Sequence, residues 1–327
     1  MMYGLAAGGL VLLCLGGEIL VRGAVALARR LRISDLLIGL TVVGFGTSAP
    51  ELVVSLEAVL DGRPDIAVGA VVGSNIANVA LVLGVAALIT PIRCAPAVVT
   101  RDGAAMLVAS AVLVALALTG VIERWEGGLM LAVLLGFIGY SYWSETRAKA
   151  PSATLHAHEV EEFSDVSMTL WVSLAALAGG LACVIIGSKM LIVGAVSIAR
   201  EAGMSEAVIG LTLVAVGTSL PELATGVVAA LRRHTDVAIG NVLGSNIFNI
   251  MGMLGVTAIV TPVPIAAQIA GFDVWVMLAV AAVLIPFLVT GWRLDRIEAA
   301  AFLALYAAYT AALFFDLPQW LAASALG

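Results

Sequence analysis

The chain has 327 residues, of which 62% are apolar and only 12% charged, with a formal net charge of −6 and a mean hydropathy of +1.11. Soluble domains carry about 25% charged residues, so this chain lacks the polar side chains to cover a water-facing surface. A soluble enzyme, a nucleic-acid binder and a disordered protein are excluded, which leaves a polytopic helical membrane protein rich in glycine.

Apolar runs between polar breaks predict ten spans, in chain order at about 5–27, 36–59, 66–89, 102–119, 127–144, 169–199, 206–231, 237–260, 270–290 and 297–315. The first has no basic leader and contains Glu18 and Arg22, so it reads as a retained span, not a signal peptide. Residues 145–168 form the one long polar stretch. Its His156, His158, Glu159, Glu161, Glu162 and Asp165 read as a solvated acidic linker. Cys14, Cys94 and Cys183 are widely spaced and read as small packing residues. Basic residues set the orientation. With the N-terminus external, eleven fall in cytoplasmic loops (Arg29, Arg30, Arg32, Arg93, Arg101, Arg147, Lys149, Arg232, Arg233, Arg293, Arg296) against three outside (Arg63, Arg124, Arg200). Both termini are then external.

The chain repeats itself. The segment from Val42 through Glu51 to Gly84 aligns without gaps with Leu213 through Glu222 to Gly255, a constant offset of 171. The same offset pairs Gly23-Ala24-Val25 with Gly194-Ala195-Val196 and Asp102 with Asp273. Each half holds five spans, and an odd number inverts the second half. The fold class is therefore an all-α polytopic membrane protein with ten transmembrane helices in two inverted five-helix repeats. Residues 1–144 and 169–327 are the repeats, joined by a cytoplasmic linker at 145–168. Inverted repeats are typical of secondary transporters, with a substrate site at the repeat interface near the midplane. Duplication alone could also leave a channel or a membrane enzyme.

Two segments break the rules for a lipid-facing helix: Gly44-Phe45-Gly46-Thr47-Ser48-Ala49-Pro50-Glu51 and Ala215-Val216-Gly217-Thr218-Ser219-Leu220-Pro221-Glu222. Proline frees carbonyls one turn back, and those carbonyls need a partner within the membrane. A carboxylate four residues after each threonine lies on the same helix face. The next span in each half adds Gly73-Ser74-Asn75-Ile76-Ala77-Asn78 and Gly244-Ser245-Asn246-Ile247-Phe248-Asn249. With a rise of about 1.5 Å per residue, glutamate and second asparagine of each half reach a common depth near mid-bilayer. Carbonyl, hydroxyl, amide and carboxylate oxygens together suit a hard cation.

A charge at the bilayer centre costs about 2.5–3.5 kcal/mol on insertion scales. Of 22 acidic residues, only Glu51 and Glu222 sit centrally in a span, and no basic residue lies at that depth. A bound divalent cation, or several monovalent ones, resolves their repulsion. Two protonated glutamates bridging helices would be the purely structural alternative, which the duplicated oxygen-rich motif argues against. Glu18 and Arg22 pair at i, i+4 near a membrane face, and Lys189 snorkels. Glu57, Asp102 and Asp273 lie near enough to span ends to be solvated.

In these elements, G-T-S-x-P-E and G-S-N-x-x-N each present twice, the chain resembles the cation/calcium exchanger superfamily, most closely its prokaryotic sodium/calcium exchanger branch. The resemblance implies ten helices in two inverted repeats. It implies a Ca²⁺ site at Glu51, Glu222 and the carbonyls of Thr47 and Thr218. One Na⁺ site would use Thr47, Ser48, Ser74 and the Gly44 carbonyl; its counterpart would use Thr218, Ser219, Ser245 and the Ala215 carbonyl. Asn78 and Asn249 would line the centre, and Asn75 and Asn246 would hold local helix geometry. Asn249 stands where K⁺-dependent members carry Asp, which weakens any case for K⁺ co-transport.

The expected function is a Na⁺/Ca²⁺ antiporter working by alternating access. It would need no cofactor beyond the transported ions and no nucleic-acid partner, and would act as a monomer in the bilayer of a prokaryotic cytoplasmic membrane. A Ca²⁺/H⁺ antiporter, or an exchanger of another divalent cation, is the runner-up. A passive cation channel is a further alternative. A membrane-embedded hydrolase fails because His156, His158 and His234 all lie in loops, leaving Ser48 and Ser219 without a base.

Overall fold

The computed structural model describes residues 2–31, 33–96, 98–147, 168–201, 217 and 219–315. Helices dominate: α1 (Met2–Leu31), α2 (Asp35–Thr47), α3 (Ala49–Leu60), α4 (Pro64–Ile89), α5 (Val98–Thr119), α6 (Arg124–Arg147), α7 (Leu170–Glu201), α8 (Leu220–Leu231), α9 (Thr235–Val260), α10 (Ile269–Trp292) and α11 (Arg296–Phe314). Eight of them are long and apolar enough to cross a membrane, and α2 with α3, bent by 41° at Ser48, makes a ninth candidate. The chain is an integral membrane protein. Every described helix falls on a segment read from hydropathy. The start of the seventh span (206–216) and residues 148–167 of the linker lie outside the described residues.

The most buried helices are α4 and α9, which form the middle of the molecule with α5 and α10 packed around them. Side chains from both halves share this cluster, among them Val72, Ile76 and Leu83 with Ile239, Leu243 and Ile250. Helices α1 and α7 run antiparallel along a second, smaller cluster. Their contact is a glycine seam. A Cβ at Gly9 would lie 2.5 Å from the Leu191 nitrogen, one at Gly16 would lie 2.7 Å from Cys183 Cβ, and one at Gly23 would lie 2.8 Å from the Leu177 nitrogen. Gly180, Gly187 and Gly194 of α7, which match these three at the 171 offset, meet α1 equally closely. A seven-residue spacing keeps all six on one stripe, and small residues allow the helices the close approach typical of membrane packing.

Two short antiparallel ribbons tie the halves together at opposite ends of α5. Residues Ile92–Arg93 (β1) pair with Arg293–Leu294 (β4), and Val121–Ile122 (β2) pair with Val263–Pro264 (β3). Each thus saturates backbone groups that would otherwise be orphaned at a helix end.

The structure corrects the reading of Asp102 and Asp273 as solvated: both are buried. Burial is tolerated because each has a partner. Arg101 Nε lies 2.7 Å from Asp102 Oδ1, and Tyr309 donates to Asp273 Oδ1 at 2.9 Å. Glu18 forms an ion pair with Arg22, as expected, and also with Arg232 beyond the end of α8, at 2.6 Å. Cys94 is buried between β1 and α5, and burial pushes its thiol up to about 12, so it is an inert packing residue.

Candidate functional site

The site begins where α2 stops. Pro50 has no N–H to give, but in the first turn of α3 none is required. The chain therefore breaks at Ser48 and restarts as a new helix. The same chemistry starts α8 at Leu220, with Pro221 in its first turn. This places Glu51 and Glu222 each in the first turn of a helix, where the unsatisfied N–H groups and the positive end of the dipole favour a carboxylate. Glu51 is 6% exposed and Glu222 1%, and they lie within electrostatic reach of each other.

Around them the two halves interlock. Ser48 donates its hydroxyl hydrogen to Glu222 Oε1 at 3.0 Å, reaching across from one repeat to the other. The Thr47 hydroxyl lies 3.1 Å from the Val43 carbonyl and 3.2 Å from that of Gly44. Ser245 donates to the Gly44 carbonyl at 3.1 Å. That contact needs glycine, since a Cβ at Gly44 would lie 2.9 Å from the Ser245 nitrogen.

This last bond adds a neighbour that the grouping implied by the resemblance does not include. The Gly44 carbonyl accepts from Ser245 of the other half. The reason is topological: α9 packs against α2, which brings Ser245 of the opposite repeat to the Gly44 carbonyl. Ser74 is buried, as are Asn75, Asn78, Asn246 and Asn249, which meet where α4 crosses α9. Thr218 and Ala215 lie outside the described residues.

Five oxygens of the duplicated motifs are buried without a hydrogen-bond partner among the described residues: Glu51 Oε2, Glu222 Oε2, Asn78 Oδ1, Asn249 Oδ1 and the Ser219 hydroxyl. An unpartnered buried polar atom costs about 1–3 kcal/mol, and five together need a common cause. Neither glutamate forms an ion pair with a basic side chain among the described residues. The donor set is oxygen only, and no group of three or more His, Cys, Asp or Glu gathers among the described residues. Two negative charges and a shell of neutral oxygens can bind one hard divalent cation, or its monovalent replacements, without any nitrogen or sulfur ligand.

Sequence reasoning missed Asn241. It is buried on α9, one turn before Gly244, with Oδ1 3.3 Å from the Thr47 hydroxyl and Nδ2 without a partner among the described residues. The repeat hides it, because the matching position holds Ala70. A polar residue on the same face as Ser245, in an otherwise apolar run, was the available signal.

The chain matches known proteins over most of its length. A family model described as sodium/calcium exchanger protein matches residues 1–143 and 172–315. The putative antiporter CaxA of Alkalimonas amylolytica is 39% identical over 94% of this chain and 96% of its own. The sodium/calcium exchanger MaX1 of Methanosarcina acetivorans is 34% identical over 94% and 97%. The solved sodium-calcium exchanger NCX_Mj, in the structure soaked with zero Na⁺ and Ca²⁺, superposes with a TM-score of 0.81 at 30% identity, covering 95% of this chain and 98% of that one. Family and fold are those of a transporter and not of an enzyme. The chain belongs to the sodium/calcium exchanger family.

Proposed function

We propose that this protein exchanges Na⁺ for Ca²⁺ across the membrane, binding both in turn at the centre defined by Glu51 and Glu222. The observation that carries the reading is the set of unpartnered buried oxygens from both halves, among them one from each of two carboxylates that have no basic partner among the described residues. Both loaded forms cross because their charge is neutralised. The empty form, with two bare carboxylates in the membrane, crosses poorly, and that couples the fluxes. Asn249 in place of Asp keeps the site at two formal charges, which suits Ca²⁺ and disfavours an additional K⁺.

The architecture we infer is ten spans in two inverted five-helix repeats, residues 1–144 and 169–327. Residues 145–168 link them in the cytoplasm, and both termini are external. The antiparallel glycine seam between α1 and α7, whose residues match at the 171 offset, supports the inversion. The eleven-to-three bias of basic loop residues supports the orientation. The prokaryotic cytoplasmic membrane is the location suggested by relatives such as the inner membrane protein YrbG of Escherichia coli, 38% identical over 87% of both chains.

The test is ⁴⁵Ca²⁺ uptake into proteoliposomes under an outward Na⁺ gradient, with K⁺ and a pH gradient varied separately. Uptake that follows the Na⁺ gradient and ignores K⁺ is expected. Uptake that ignores Na⁺ and follows ΔpH would replace the reading with Ca²⁺/H⁺ antiport. Ca²⁺ flux without any opposing gradient would indicate a channel.

A further inference from the structure

At the crossing of α4 and α9, four buried asparagines form a closed, twofold-symmetric network. Asn75 Nδ2 donates to the main-chain oxygen of Asn246, and Asn246 Nδ2 donates to that of Asn75, both at 3.3 Å. Asn249 Nδ2 donates to Asn75 Oδ1, and Asn78 Nδ2 donates to Asn246 Oδ1, both at 3.1 Å. The orientation of every amide follows from the two main-chain oxygens. A carbonyl only accepts, so the Asn75 group facing it is the NH₂, which turns Asn75 Oδ1 toward Asn249. Asn249 must meet that oxygen with its own NH₂, and its Oδ1 is left pointing away, buried and without a partner among the described residues. The same logic runs from Asn246 to Asn78.

We infer that Asn75 and Asn246 are positioning residues that lock Asn249 and Asn78 with oxygen, not nitrogen, toward the cation. The distinction matters because the two ends of an amide are nearly the same size but opposite in charge: one end binds Ca²⁺ or Na⁺ and the other repels it. Each lock is supplied by the opposite repeat, so the central oxygens are oriented only when both halves are assembled. This rests on the Na⁺/Ca²⁺ reading of the site and adds a determinant of cation affinity outside the ligand set.

The experiment pairs Asn75→Leu with Asn249→Asp in a double-mutant cycle, read as half-saturating Ca²⁺ for Na⁺-driven uptake and for thermal stabilisation of the purified protein. Asn75→Leu removes the acceptor that holds Asn249 and is expected to raise half-saturating Ca²⁺ roughly 10–100-fold, the usual effect of losing a partner of a metal ligand, with a smaller change in maximal rate. In the Asn249→Asp background the same substitution is expected to shift it less than about twofold, because a carboxylate presents oxygen whichever way it turns. Asn246→Leu with Asn78→Asp gives the symmetric cycle should the first pair fold poorly. An unchanged half-saturating Ca²⁺ in Asn75→Leu, or an equal shift in both backgrounds, overturns the inference. Loss of Na⁺-driven uptake in the unmodified protein would instead overturn the reading on which it rests.

Discussion

At the scale of single residues, the glutamates and asparagines divide the work by charge. At the proposed centre Glu51 and Glu222 supply the formal charge among the described residues, while Ser48 bonds one of them from across the repeat. Glu51→Gln and Glu222→Gln each remove a charge but keep the shape. Each is expected to abolish ⁴⁵Ca²⁺ uptake while leaving a monodisperse protein, and unloaded thermal stability should be unchanged or raised, since carboxylate repulsion falls. Retained exchange in both variants would place the binding site elsewhere. These residues were legible because they recur: a Glu after Pro is ordinary, but the same eight-residue motif 171 positions later is not. Asn241 was not legible, because its role depends on α9 packing on α2 and has no copy in the other half. The partnering of Gly44 with Ser245 was hidden for the same reason, since spacing within one half says nothing about which half supplies a neighbour.

At the scale of elements, hydropathy marked each described helix, but it could not see how several of them are wound. Wider, π-type turns occur at Gly39–Val43, Asn78–Leu83, Val98–Gly103, Phe248–Leu254 and Ile269–Asp273. Those at Asn78 and Phe248 follow directly on the Gly-Ser-Asn elements. Such turns occur often at functional sites, and they depend on what packs around the helix more than on local propensity. The glycine seam makes a sharper prediction. Gly16→Leu would drive a side chain into Cys183 and Val184 of α7, an overpacking that costs typically 1–3 kcal/mol. Gly136→Leu on α6, where a Cβ would meet nothing within 4 Å, serves as the control. A drop in melting temperature confined to Gly16→Leu is expected. Equal behaviour of the two variants would mean that the seam is not tightly packed.

At the scale of the whole molecule, the two halves match in position but not in charge. Glu18 bonds Arg232, tying α1 to the end of α8. The 171 offset carries Glu18 to Lys189 and Arg232 to Asp61, a pair of reversed sign. Yet Asp61 pairs with Arg63, and Lys189 makes no ion pair among the described residues. Inverted repeats that trade conformations during transport should close one of these pairs as the other opens. Cysteines at 18 and 232 are therefore expected to cross-link readily under one ionic condition. Cysteines at 61 and 189 should do so under the condition that favours the opposite access. Cross-linking of both pairs that ignores Na⁺ and Ca²⁺ would count against such an exchange. The bridge itself is part-exposed, so Arg232→Ala should lower stability by no more than about 1 kcal/mol.

The seam between α1 and α7 also has a consequence for how the protein is made. Helix α1 is complete at Leu31, but its partner begins at Leu170, about 140 residues later. At a synthesis rate of about 5–20 residues per second, the first helix waits roughly 7–28 s in the membrane with its glycine stripe uncovered. Its resting partner in that interval is lipid or the insertion machinery. The order of emergence from the ribosome thus holds back the docking of the first helix on α7 until the second half of the chain begins to appear.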